Sequence, residues 1–253
     1  MGERRIRSDR LPRHVAVIMD GNGRWAESRG LSRNEGHWAG IESVRAVVRD
    51  AHDLGIGTLT LYSFSLENWE RPRREVDELM RILEYYLERE LDFVHRNGIE
   101  VRAIGRLDRL PAGARKRLDD AIERTRGNRE MRLVFALSYG GRAEIVDAAR
   151  RLMREAELGK LDPDRLDEKT FAAHLYDPDL PDPDLLIRTG NESRVSNFLL
   201  WQIAYSEIYT TPVMWPDFRK SHLVDALLDY QSRERRFGLT SAQVRGGPGP
   251  ERP

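Results

Sequence analysis

The sequence predicts an α/β protein with a mostly parallel central sheet flanked by helices. Six short, β-branched apolar runs recur along the 253 residues, and longer amphipathic patterns separate most of them. Apolar runs with little alternation read as strands buried on both faces, the condition that helical crossovers create around a parallel sheet. Acids, arginines and serines also collect where these runs end. Parallel sheets bind ligands beyond the carboxyl ends of their strands.

The first strand is read at 14–20, HVAVIMD, and it runs straight into the turn Asp20-Gly21-Asn22-Gly23-Arg24-Trp25. A helix follows at 36–54, then the strand TLTLYSFS at 58–65. Residues 74–97 carry Val76, Leu79, Met80, Leu83, Leu87 and Leu91 at helical spacing. That apolar face either covers the sheet or forms one wall of a ligand cavity. A strand at 100–105, a helix at 111–126, a strand at 132–138 and a helix at 141–158 continue the alternation. DPDLPDPD at 177–184 reads as an extended turn before the strand 185–189, LLIRT. A helix is expected at 196–206 with Ser196 as its N-cap, and a last strand at 207–212. One domain is expected over 1–239, with 240–253, TSAQVRGGPGPERP, as a disordered tail.

Composition narrows the function. Lys+Arg and Asp+Glu are both 42, so no global field attracts nucleic acid or an anionic membrane, and an anion site must be built locally. The absence of cysteine excludes disulfides, thiolate metal sites and a cysteine nucleophile. The charged start MGERRIRSDR lacks the apolar core of a signal peptide, and no apolar run approaches a membrane span. A soluble, cytoplasmic protein is expected.

Three stretches carry chemistry. Glycines in a strand-to-helix turn let backbone N–H groups approach a phosphate, and the guanidinium fork of Arg24 suits phosphate oxygens. Asp20 repels a bare diphosphate but serves one that arrives with Mg²⁺. The turn lacks the Gly-Lys-Ser/Thr ending of a Walker loop, and Asn22 stands where an Asp-x-Asp phosphatase has its second acid. In LLIRTGNESRVSNFLLWQIAYSE, Arg188 ends a strand while Arg194 and Ser196 follow, a donor set suited to a second diphosphate. In SFSLENWERP, Ser65, Asn68 and Arg71 lie beyond a strand end, where Trp69 and Pro72 either shape the turn or touch a ligand. His37 has no second histidine at metal-ligand spacing.

Seven stretches, HVAVIMDGNGRWA, GHWAG, LYSFSLENWERP, SYGGRAEI, DLLIRTGNESRVSNFLLWQIAYSEIY, WPDF and RERRFG, occur in order across residues 11–239. Together they resemble the cis-prenyltransferases, the family of undecaprenyl diphosphate synthase. One departure is Gly190-Asn191-Glu192, where the family commonly reads Ser/Gly-Gly-Glu; Asn tolerates the left-handed backbone such a loop uses.

The resemblance implies a homodimer with a hydrophobic tunnel between the sheet and two helices. It implies Mg²⁺-dependent condensation of isopentenyl diphosphate, in Z configuration, onto an allylic diphosphate such as farnesyl diphosphate. A long, undecaprenyl-type carrier lipid for cell-wall synthesis would then be released to the membrane, placing a cytoplasmic enzyme at its periphery. By position, Asp20 would organise the metal, with Glu207 contributing. Gly21, Asn22, Gly23, Arg24 and Arg33 would hold the allylic diphosphate, with Trp25 and His37 nearby. Arg188, Arg194 and Ser196 would bind isopentenyl diphosphate, and Ser65, Asn68, Trp69 and Arg71 would line the reacting centre. Arg236 and Gly238 would reach the partner subunit's site. The proton acceptor stays open among His37, a substrate phosphate oxygen and a relay through Asn68. Met131 is expected at the tunnel's far end, with Ser63 and Ser138 leaving the entrance clear. The rival readings are a short- or medium-chain Z-prenyl synthase, a non-catalytic scaffold subunit, and a phosphatase using Asp20.

Overall fold

The computed structural model describes residues 6–234. The expected disordered tail, Arg236 and Gly238 lie outside them. Among the described residues six strands form one all-parallel sheet: β1 (His14–Ile18), β2 (Thr58–Ser65), β3 (Ile99–Ile104), β4 (Met131–Tyr139), β5 (Leu185–Arg188) and β6 (Glu207–Thr210), in the order β3-β4-β2-β1-β5-β6. Chain order reverses beside β1, the position where such sheets open a crevice. All five residues of β1 are buried, which is why Val15–Ile18 read as apolar sequence; the buried His14 ring pairs with the Pro181 carbonyl and Thr60 Oγ1.

The alternation of side chains across each strand divides the core in two. Val15, Val17, Leu59, Leu61, Leu133 and Phe135 face one layer, which is built from α2 (Arg33–Leu54), α3 (Arg73–Arg96), α4 (Ala112–Thr125) and α7 (Lys220–Ser232). Ala16, Ile18, Val134, Ala136 and Leu186 face the other, where Tyr176, Leu180, Phe198 and Leu199 pack. On that side Glu144, buried in α5 (Gly141–Glu157), accepts hydrogen bonds from Tyr139 Oη at 2.5 Å and Gln202 Nε2 at 3.1 Å.

All six strands fall where the sequence places them, with ends shifted by at most two residues, and the helices expected at 36–54, 74–97, 111–126 and 141–158 form as well. The helix expected at 196–206 does not form. Ser196, Asn197 and Leu199 have positive φ, which an α-helix cannot accommodate, and the segment is a chain of turns. The reason is tertiary: Asn197 serves the start of α5, its carbonyl accepting from Gly141 N (2.6 Å) and its Oδ1 from Arg142 N (2.9 Å). Three helices go beyond the sequence expectation: α1 (Asn22–Glu27), α6 (Glu168–Ala172) and α7. A signal for α7 exists, since Leu223, Ala226, Leu227 and Tyr230 keep helical spacing. Among the described residues no helix is long and apolar enough to cross a membrane.

Candidate active site at the carboxyl ends of the strands

A cleft opens beyond the carboxyl ends of β1, β2 and β4 and runs down between the sheet and helices α2 and α3. It holds about 1080 Å³ of space, counting the part open to solvent. Asp20, Gly21, Asn22, Gly23, Arg33, His37, Asn68 and Arg71 surround its mouth. Ile41, Leu79, Met80, Leu83, Tyr86 and Leu137 form its apolar depth. A polar, cationic mouth on an apolar slot suits an amphiphile with an anionic head.

The mouth is organised around Asp20. Its backbone N–H donates to Thr189 Oγ1 (2.9 Å), and the Thr189 hydroxyl donates back to the Asp20 carbonyl (2.7 Å). Trp215 N–H donates to the same carbonyl at 3.0 Å. Gly21 then takes φ +106°, a left-handed turn disfavoured for other residues, and α1 begins. The Trp25 N–H closes the first turn on Gly21 O at 2.9 Å, which leaves the amides of Asn22, Gly23 and Arg24 open, while Gly21 N–H donates to Asp20 Oδ1 at 2.6 Å. Across the mouth Gly190 (φ +79°) brings its backbone so close that a Cβ there would lie 2.8 Å from Arg24 Nη2. Asn191 also adopts positive φ, +59°, as its residue type allows.

Charges at the mouth compensate one another. Arg188, only 5% exposed, holds Asp20 Oδ2 at 2.8 Å and donates to Ser196 Oγ at 2.7 Å and to the Arg194 carbonyl. Arg24 lies 3.5 Å from Asp20 Oδ1 and 3.8 Å from Glu192, which also pairs with Arg194 at 2.9 Å. Three buried polar atoms here have no partner: Asn22 Oδ1, His37 Nδ1 and Arg188 Nε. Burial, then the cations Arg71 and Arg33, hold the His37 imidazole below its ordinary pKa, with Glu75 opposing them. The His37 Nδ1 lacks a well-formed hydrogen bond and can accept a proton or donate one, according to tautomer.

Several expected residues stand elsewhere. Glu207 opens β6 in register with Leu185 and Val15, at the amino end of the sheet, five strand positions or roughly 16 Å from Asp20 along the strand direction and two strands to the side. It pairs with Arg233 at 2.7 Å and is not part of this chain's cleft. Trp25 turns outward, its Nε1 donating to Asp217 at 2.8 Å under a stacked Arg29. Trp69 lies behind the wall, its Nε1 donating to Ser138 Oγ at 3.0 Å and its ring against Phe64. Ser65 donates its backbone N–H to Asn68 Oδ1 at 3.0 Å and does not line the cleft. Ser196 is no N-cap; it is a partner of Arg188. Val76 and Leu87 are packed in the core, and Ile82 and Tyr86 take their place at the wall. Ser138 is fully buried and Leu137 lines the cleft beside it; Met131, 2% exposed, does not reach it. Thr189 and Glu192 join the site without having been expected there, although the run LLIRTGNES contains both.

Among the described residues no three His, Cys, Asp or Glu side chains converge as a metal site. Asp20 offers its carboxylate at the mouth, which fits Mg²⁺, an ion held by one or two carboxylates together with substrate phosphates.

A profile of the undecaprenyl diphosphate synthase (prenyltransferase) family matches residues 18–238. The chain belongs to this family. It is similar to isoprenyl transferases of Heliobacterium mobile (53% identical over 229 residues, 90% of this chain and 88% of that one) and Geobacter sulfurreducens (52% over 236 residues, 93% and 96%). Among solved structures it resembles lavandulyl diphosphate synthase of Lavandula x intermedia in complex with dimethylallyl diphosphate (TM-score 0.89, 41% identity, 91% of this chain and 99% of that one). It also resembles a probable undecaprenyl diphosphate synthase of Campylobacter jejuni (TM-score 0.75, 33% identity, 90% and 98%). As an isoprenyl transferase, it has a reason for a cationic mouth above an apolar slot: prenyl diphosphates are anions with hydrocarbon tails.

Proposed function

We propose that this prenyltransferase condenses isopentenyl diphosphate, in Z configuration, onto an allylic diphosphate such as farnesyl diphosphate. The observation that carries the reading is the cleft with Asp20 and arginines at its mouth and an apolar wall below. The allylic C1–O bond breaks and pyrophosphate departs. The isopentenyl double bond then attacks that carbon, and a proton leaves C2. Open amides at the start of α1, with Arg24 and Arg33, hold the departing diphosphate and stabilise its growing charge. Arg188, Arg194 and Ser196 bind isopentenyl diphosphate on the facing side. Asp20 would hold Mg²⁺ together with the diphosphate, and the ion would supply positive charge to the leaving group. The proton goes to a substrate phosphate oxygen, to His37 Nδ1, or through Asn68; the His37 nitrogen without a well-formed hydrogen bond supports the second route.

The catalytic unit is one domain over 1–239, a reading supported by the single sheet that joins His14 to Thr210. We take it to act as a homodimer, with Arg236 and Gly238 crossing to the partner's site; the exposed Tyr205 and Ile208, just before and within edge strand β6, support an interface there. A cytoplasmic enzyme delivering a long, undecaprenyl-type carrier lipid to the membrane periphery fits the family. A shorter product is the second reading, favoured by the end of the cleft at Tyr86 and Phe135. Purified protein given Mg²⁺, farnesyl diphosphate and labelled isopentenyl diphosphate tests the function. Extended lipid supports it, free phosphate points to a phosphatase, and no reaction to a scaffold subunit.

A further inference from the structure

The cleft does not continue to the bottom of the sheet. Along β4, Leu137 lines the cleft, Phe135 lines both the cleft and a second, smaller void, and Leu133 lines the second void alone. The same order holds along α3: Leu79 and Leu83 line the cleft, Tyr86 lines both, and Leu91 and Val94 line only the second void. Two independent elements therefore mark one boundary, and its two residues touch. The rings of Tyr86 and Phe135 meet edge to face, with centroids 5.8 Å apart. Both side chains are buried, at 6% and 3% exposed. Met131 lies four residues down β4 from Phe135, roughly 13 Å deeper at strand rise, and lines neither void.

We propose that the Tyr86–Phe135 contact is the restriction that sets product length in this chain; this rests on the prenyl-transfer reading above. A prenyl tail fed down from the Asp20 mouth meets the two rings before it meets any residue that lines the second void alone. Elongation is favoured while each added unit finds apolar wall, and it slows where the tail must push a pair of packed aromatics aside to go further. Tyr86 is the better lever of the pair. It stands on a helix at the surface of the sheet, whereas Phe135 belongs to a strand with neighbours on both sides.

The test is the mass of the lipid made by the full-length protein from farnesyl diphosphate, labelled isopentenyl diphosphate and Mg²⁺. Tyr86→Ala joins the two voids and should lengthen the major product by one or more five-carbon units; Tyr86→Leu does the same work if the alanine variant does not fold. Tyr86→Trp should shorten it, and Tyr86→Phe, which keeps the ring contact, should leave it unchanged. Met131→Ala should leave it unchanged because the restriction lies above it. An unaltered product from the Ala or Leu variant and from the Trp variant overturns the proposal, as does a longer product from Met131→Ala alone. A wild-type protein that extends nothing overturns the prenyl-transfer reading itself, so the two failures are distinct.

Discussion

Replacing Asp20 by alanine separates the residue's charge from its place in the fold. In the substrate-free protein its carboxylate is the partner of buried Arg188 and, more distantly, of Arg24. A charge-assisted hydrogen bond contributes about 1.5–3 kcal/mol. Asp20 is a third exposed, and Arg188 keeps Ser196 Oγ and the Arg194 carbonyl, so the lower end of that range applies. A loss of about 1.5–2 kcal/mol lowers Tm by roughly 3–8 °C for a chain of this size, leaving the fold intact at 25 °C. Pyrophosphate binding should then change in opposite senses with and without metal. Without Mg²⁺ the mutant should bind pyrophosphate about fivefold tighter, because roughly 1 kcal/mol of screened repulsion is gone. With Mg²⁺ the wild type should gain affinity and the mutant should not. Condensation should fall at least about 10²-fold, the scale for losing one electrostatic group at a reacting centre. Calorimetric titration with and without Mg²⁺, thermal melting and product assays on the same preparations check all three. Wild-type turnover in the mutant, or an undiminished effect of Mg²⁺ on its pyrophosphate binding, would refute the assignment.

Arg194→Lys keeps the charge but loses the forked contact. It should weaken isopentenyl diphosphate binding roughly 10- to 150-fold while sparing the allylic substrate, and equal weakening of both in steady-state kinetics would reverse the two subsites. Thr189→Val removes a fully buried hydroxyl that clamps Asp20 from two sides. It should cost about 1–2 kcal/mol in urea unfolding, and should lower kcat more than KM because the carboxylate is displaced. His37 has its pKa depressed in the fold, so as pH falls through about 6.5 the unfolded chain takes up the proton first and stability is lost. His174, raised by the Thr170 carbonyl and Glu155, acts in the opposite sense, so the effect is read as the difference between wild type and His37→Asn. Pyrophosphate beside His37 should raise its pKa and draw in a proton. Binding heats in buffers of different ionisation enthalpy should show uptake near pH 6 that the variant lacks.

The strands were legible because burial on both faces selects short β-branched and apolar runs that admit few charges, so HVAVI and TLTLYSFS announce themselves without any tertiary knowledge. The glycine turn was legible because Gly21 must adopt a left-handed backbone and Asp20 must follow a strand end; Arg24, Arg33, His37, Asn68 and Arg71 came with it. Local pattern could not show that Asn197 is needed to complete α5, and that demand turned an apparent helix at 196–206 into turns with positive φ. The strand at 207–212 was legible, but not that its first residue, Glu207, stands level with Val15 and away from Asp20, because register between strands belongs to the sheet as a whole. The wall of the cleft was decided the same way. Spacing put Val76 and Leu87 on the apolar face of α3 and did not single out Tyr86; all three are buried, but only Tyr86 lines the cleft and meets Phe135. The sequence thus determined which residues carry charge and where strands end, since those are local properties of the chain. Only tertiary structure decided which side chains meet and how deep the cleft runs, because those depend on elements that lie far apart in sequence.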